Sequence, residues 1–126
     1  MSLFDDQKKF MDITGQLPST SNEHLYYNLV KEEVGELMEA WEKSDRVEIV
    51  DACIDIIYVV SGLMHSMGLK PQAFWDEVQR SNMSKFVLED GAYKVLRRED
   101  GKILKGPTYS PPDLASIYEK QVATDA

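Results

Sequence analysis

The 126-residue chain is poor in the side chains that carry much of protein chemistry: it has one cysteine and two histidines, and only 14 Lys and Arg against 22 Asp and Glu. The lone Cys53 cannot close an internal disulfide, which excludes a stapled secreted mini-domain; inside its apolar run it is expected to pack as a small hydrophobe. The shortage of cations leaves a net charge of −8 and a pI near 4.7. Such a chain repels phosphate backbones, so a nucleic-acid polymer is not an expected partner, and a phosphate-bearing partner would have to arrive with metal ions. The longest apolar segment, Ile49 to Met67, is broken by Asp51 and Asp55, and no basic, then apolar leader opens the chain. A membrane is therefore not an expected partner, and the cytoplasm is the expected compartment.

With 43% hydrophobic and 29% charged residues, the composition is that of a folded protein with one core. Apolar residues at helical spacing over 2–14, with Gly15 just beyond, predict a first helix. Thr20 with Glu23 has capping-box spacing and opens a second helix to about Lys43. Its apolar positions Leu25, Leu29, Val30, Val34, Leu37, Met38 and Trp41 are expected to form one core-facing stripe. Ser44 or Asp45 caps a third helix ending at Met67 before Gly68. That helix is apolar around nearly its full circumference, more than a monomer of this size buries, so a shared interface is expected. Pro71 opens a fourth helix of about a dozen residues. Beyond Lys85, two Asp-Gly turn signals suggest a small hairpin from the runs Ala92 to Arg97 and Lys102 to Lys105. A last helix starts near Asp113, and Ala123 to Ala126 are expected to fray. The whole reads as one all-α domain over 1–126, a bundle of four to five helices, with a helical core over about 2–84 and the hairpin, loop and last helix over about 85–122.

The acidic residues carry the chemistry. Glu32, Glu33, Glu36 and Glu39 share helical spacing on the second helix, as do Glu48, Asp51 and Asp55 on the third. A short connection between the two helices favours an antiparallel pair that brings the acidic faces together. Asp51 and Asp55 are the only charges between Ile49 and Met67, and burying unpaired carboxylates is costly, so a counter-charge is expected. The two helices supply only Lys31, Lys43 and Arg46, which makes a divalent cation the better candidate. All-oxygen donors suit Mg²⁺ or Mn²⁺ rather than zinc. A di-iron bundle would need Glu-x-x-His pairs, and neither His24 nor His65 has one; both are expected at helix surfaces or polar edges.

The segments Lys31-Glu32-Glu33-Val34-Gly35-Glu36-Leu37 and Glu48-Ile49-Val50-Asp51-Ala52-Cys53-Ile54-Asp55-Ile56-Ile57-Tyr58 resemble the all-α NTP pyrophosphohydrolases, the MazG and phosphoribosyl-ATP pyrophosphohydrolase-like superfamily. The resemblance covers roughly residues 10 to 114 and implies a MazG-type fold assembled as a homodimer or homotetramer. It pairs Glu33 with Glu36 and Glu48 with Asp51 as metal ligands; Asp55, in the stretch Asp55 to Tyr58, competes with Asp51 for the principal role. Ser81-Asn82-Met83-Ser84-Lys85, Asp100-Gly101-Lys102 and Lys105-Gly106-Pro107-Thr108-Tyr109 resemble the family's substrate-side segments. From that resemblance Lys85 with Asn82 is expected to hold the departing phosphates, and Lys105 and Tyr109 to close over the nucleotide.

The expected reaction is Mg²⁺-dependent hydrolysis of a nucleoside triphosphate or phosphoribosyl-ATP-like nucleotide to the monophosphate and pyrophosphate, with Glu32 or Glu36 accepting the proton of the attacking water. The rival reading is a noncatalytic acidic helical oligomer, a binding or regulatory module whose carboxylates keep it soluble or hold a structural cation.

Overall fold

The computed structural model describes residues 2–124, and the last two positions of the expected frayed end, 125 and 126, lie outside the described residues. Five helices and one two-stranded sheet follow in the order α1 (Leu3–Thr14), α2 (Thr20–Glu42), α3 (Arg46–Ser66), α4 (Pro71–Met83), β1 (Val87–Glu89), β2 (Ala92–Lys94) and α5 (Leu114–Thr124). The described residues divide into two compact units, 2–71 with Thr124, and 72–123.

In the first unit each helix end has a local cause. Ser2 and Asp5 close a capping box on α1, and Gly15 ends it at φ 71°, a left-handed conformation that glycine adopts without strain. Ser19, not Thr20, caps α2: it is extended, and its hydroxyl accepts from the amide of Asn22 at 3.0 Å. Asp45 caps α3 by accepting from the Glu48 amide at 3.2 Å. The short turn through Lys43 and Ser44 folds α2 and α3 into an antiparallel hairpin, and at its open end the Ser19 amide donates to the Ser66 carbonyl at 3.1 Å.

The expected single stripe on α2 is in fact two. Tyr26, Val30, Glu33, Leu37 and Ala40, spaced four, three, four and three, are the buried or half-buried residues of the seam against α3. Val34, Met38 and Trp41 form a separate row, exposed in this chain. On α3 the matching row is Ala52, Asp55, Val59, Gly62 and Ser66. A Cβ on Gly62 would overlap the Tyr26 ring, so that glycine sets how closely the two helices approach.

Helix α1 packs on α3 through a polar contact rather than a purely apolar one. Gln7, wholly buried, donates from Nε2 to the Tyr26 hydroxyl at 3.4 Å, and that hydroxyl donates to Gln16 Oε1 at 2.6 Å. His65 Nδ1 lies 2.7 Å from Gln7 Oε1. His65 is therefore a buried core residue and not the surface group expected; burial, with a smaller effect from the nearby Lys8 charge, holds its pKa below the usual imidazole value.

In the second unit, Asp90 and Gly91 both have positive φ, 50° and 80°, the geometry of a two-residue hairpin turn between β1 and β2 with Leu88 opposite Tyr93. The hairpin thus crosses the first Asp-Gly signal, where the second was expected to bear it. Around the second there is only an isolated bridge, Arg97 to Ile103, because the Asp100 carboxylate holds the turn by accepting from the Lys102 amide at 3.1 Å and from Arg98. Glu77 of α4 anchors the start of α5. Its carboxylate accepts from Arg80 and from the Asp113 amide at 2.7 Å, which lowers its pKa to about 2, and Asp113 in turn caps α5 through Ser116.

Candidate metal and active site

The α2 and α3 seams each carry one carboxylate at a position where their periodicity calls for an apolar side chain. These are Glu33 and Asp55, and antiparallel pairing brings them to the same height. One oxygen from each of Glu33, Glu36 and Asp55 lies within 4.8 Å of the others. Glu33 and Asp55 are half-buried and Glu36 is exposed at the mouth. Glu33 Oε2 is enclosed and has no hydrogen-bond partner among the described residues. Desolvation first, then hydrogen bonding to Glu36 and the charges of Glu36, Asp55 and Glu32, push the Glu33 carboxyl up to about 7.

Three carboxylates in one place, one of them with an orphaned oxygen, fit a hard divalent cation. The donors are all oxygen, and a cation would relieve both the repulsion and the unsatisfied atom. Lys8, Lys43, Arg80, Lys94 and Arg98 pair with carboxylates outside this cluster.

The other expected ligands lie alongside. Glu36, Glu39, Glu48 and Asp51 line an open basin of about 600 Å³ with Lys43, whose ammonium is paired to Glu39 at 2.8 Å. Glu36 thus belongs to both the cluster and the basin. Asp51, expected to be buried with Asp55, is exposed at the rim, and only Asp55 occupies the seam. Glu32 is exposed and outside the three-carboxylate cluster, acting on it through its charge. Cys53, expected to be packed, is exposed in this chain.

The remaining four expected residues lie in the second unit. Asn82 is exposed at the end of α4, where its carbonyl accepts from the Lys85 amide at 3.2 Å. Lys105 Nζ sits 4.8 Å above the Tyr109 ring. The two segments that carry these residues are joined directly, since the Gly106 amide donates to the Lys85 carbonyl at 3.1 Å.

The sequence matches the phosphoribosyl-ATP pyrophosphohydrolase family over residues 3–82, which spans all four helices of the expected core. The chain belongs to that family. Its all-α architecture agrees with membership in that family of hydrolases, and its carboxylate cluster could hold a metal ion. An uncharacterized protein of Acanthamoeba polyphaga mimivirus is 49% identical across 78% of this chain. The match covers 42% of that relative's length, so the chain spans less than half of the viral protein it matches. Among the described residues, no helix is long and apolar enough to cross a membrane.

One feature of the site was present in the sequence pattern, whereas one feature of the packing around it was not. Glu33 sits in the row Tyr26, Val30, Leu37 and Ala40, and a carboxylate in a seam row is a stronger signal than one on a helix face. The buried link from His65 to Gln7 joins residues 58 apart and leaves no local trace.

Proposed function

We propose that this chain is a Mg²⁺-dependent nucleotide pyrophosphohydrolase, with Mn²⁺ as a substitute ion, acting on a nucleoside triphosphate or a phosphoribosyl-ATP-like nucleotide. Water adds at the α-phosphorus, the bond to the β-phosphate oxygen breaks, and the products are the monophosphate and pyrophosphate. The observation that carries this reading is the pair of carboxylates, Glu33 and Asp55, in the packed seam with Glu36 at its mouth.

Glu33, Glu36 and Asp55 would hold the ion, with Glu48 and Asp51 as further ligands from the neighbouring basin. When bound, the ion supplies neutralising charge for the phosphate oxygens and a lowered pKa for water. Glu36 or Glu32, both exposed, takes the proton of the attacking water. Lys85, with Asn82 beside it, holds the departing phosphates, and Lys105 with Tyr109 covers the nucleotide.

The assembly is a homodimer or homotetramer. Val47 is 77% exposed, Ile54 57%, Met38 62% and Trp41 69%, an apolar surface on α2 and α3 that a second copy would cover. A single free Cys53 suits a reducing cytoplasm.

Pyrophosphate release from a panel of ribo- and deoxynucleoside triphosphates and phosphoribosyl-ATP, with and without Mg²⁺, tests the reading. Metal-dependent release that disappears in Glu36→Gln and Asp55→Asn is expected. Silence across the panel, or full turnover in both variants, overturns it.

A further inference from the structure

We propose that Ser84 and Thr108 are positioning residues that lock Lys85 and the Lys105–Tyr109 segment into one preformed phosphate-binding rim. The proposal rests on the reading that these lysines hold substrate phosphates.

The lock is made of backbone and hydroxyl contacts within the second unit. Three consecutive carbonyls around Lys85 are all taken by the segment that begins one residue after Lys105. The Thr108 hydroxyl is shared between the carbonyls of Ser84 at 3.0 Å and Phe86 at 3.3 Å, and the Gly106 amide donates to the Lys85 carbonyl between them at 3.1 Å. The Lys85 amide is bound as well, to the Asn82 carbonyl at 3.2 Å. Ser84 closes the lock from the other side: its hydroxyl donates to the Ser81 carbonyl at 2.6 Å and accepts from the Ser110 amide at 2.8 Å.

The approach is close enough that a Cβ on Gly106 would overlap the Lys85 carbonyl oxygen. Gly106, Pro107, Thr108 and Tyr109 form a turn closed by the Tyr109 amide on the Gly106 carbonyl at 3.2 Å, with proline at its second position. The turn is therefore rigid on its own, and its hydroxyl and amide pass that rigidity to Lys85.

Lysine is a flexible point charge, and ordering it on binding costs affinity. Lys85 is already half-buried, and Lys105 is held over Tyr109. Fixing both backbones against each other holds the roots of the two lysine side chains in a constant relation before substrate arrives, which narrows what their ammonium groups must search. Neither hydroxyl needs to touch substrate for this, and both spend their hydrogen bonds inside the lock.

Steady-state kinetics on the preferred nucleotide with Mg²⁺ test the proposal with Thr108→Val, Thr108→Ser and Ser84→Ala. Thr108→Val keeps the shape and loses the hydroxyl; it is expected to raise KM about tenfold, to leave kcat within about twofold, and to weaken product inhibition by pyrophosphate in proportion. Thr108→Ser restores the wild-type values. Ser84→Ala repeats the KM rise and serves as the test if Thr108→Val fails to fold. An unchanged KM in the folded hydroxyl-deletion variants, while Lys85→Ala raises it, overturns the positioning role and leaves the substrate reading standing. If Lys85→Ala and Lys105→Ala both leave KM unchanged, the substrate reading of the lysines fails instead, and the lock is only structural.

Discussion

Replacing Glu33 with glutamine removes a charge that the native state holds at a cost, and the size of that cost depends on pH. The folded carboxyl titrates at about 7 against an ordinary 4.5. The native state therefore binds this proton more tightly than the unfolded chain, so stability falls as pH rises between those values and the full penalty is present above about 7. At ~1.36 kcal/mol per pH unit the shift corresponds to a ceiling of about 3 kcal/mol. Glu33 is only half-buried and Glu36 is exposed, so water screening leaves on the order of 1–2 kcal/mol. Glutamine resembles the protonated acid in shape and in its ability to donate to Glu36. Urea denaturation in chelator should show Glu33→Gln and wild type nearly equal at pH 5, with the variant more stable by about 1–2 kcal/mol at pH 8. A stability difference that does not change between the two pH values would refute the reasoning, as would a wild type that gains on the variant with rising pH. Millimolar Mg²⁺ at pH 8 should reverse the order, because only the wild type keeps the full ligand set.

Two further outcomes follow from the packing. Gly62→Ala forces a methyl group into the Tyr26 ring and should cost about 1–3 kcal/mol, read as a lower midpoint in thermal or urea melts; an unchanged midpoint would mean that α2 and α3 separate freely. Ile54→Lys places a charge on the apolar face of α3 and should shift sedimentation toward the monomer, whereas an unaltered assembly would put the interface elsewhere.

Helix ends were legible wherever one residue type has one local use. Gly15 beyond α1 and Pro71 at the start of α4 each act within a single turn, and the structure places them as the sequence suggests; of the two cap candidates before α3, Ser44 and Asp45, it takes Asp45. Ser19 and Thr20 are adjacent hydroxyls with equivalent spacing to a following partner, and spacing alone cannot choose between them. The hairpin was harder to place because both Asp-Gly pairs are turn formers. What separates them is that Asp90 joins Gly91 at positive φ, while Asp100 uses its side chain to hold a wider turn.

The candidate site was legible as a set and not as an arrangement. Helical spacing gathers Glu33 with Glu36 and Asp51 with Asp55, but only the register of α2 against α3 tells which aspartate faces Glu33. That register depends on a close approach, Tyr26 on Gly62, between side chains far apart in the chain. The excess of apolar surface on α3 was legible in its composition, and Val50 and Ile54 lie on the surface of a single chain.

The hydrogen bond from Ser19 to Ser66 bears on how the protein breathes. It ties the first turn of α2 to the last turn of α3, while the short Lys43–Ser44 turn joins their other ends, so the helix pair is closed at both extremities with the carboxylates between. A pair fastened in this way does not fray toward its middle from either tip. Opening fluctuations that expose the amides around Glu33 and Asp55 must then be cooperative, and those amides should exchange with solvent among the slowest in the first unit, well after those of α1. The carboxylate register is thereby insulated from motion at the chain's N-terminus.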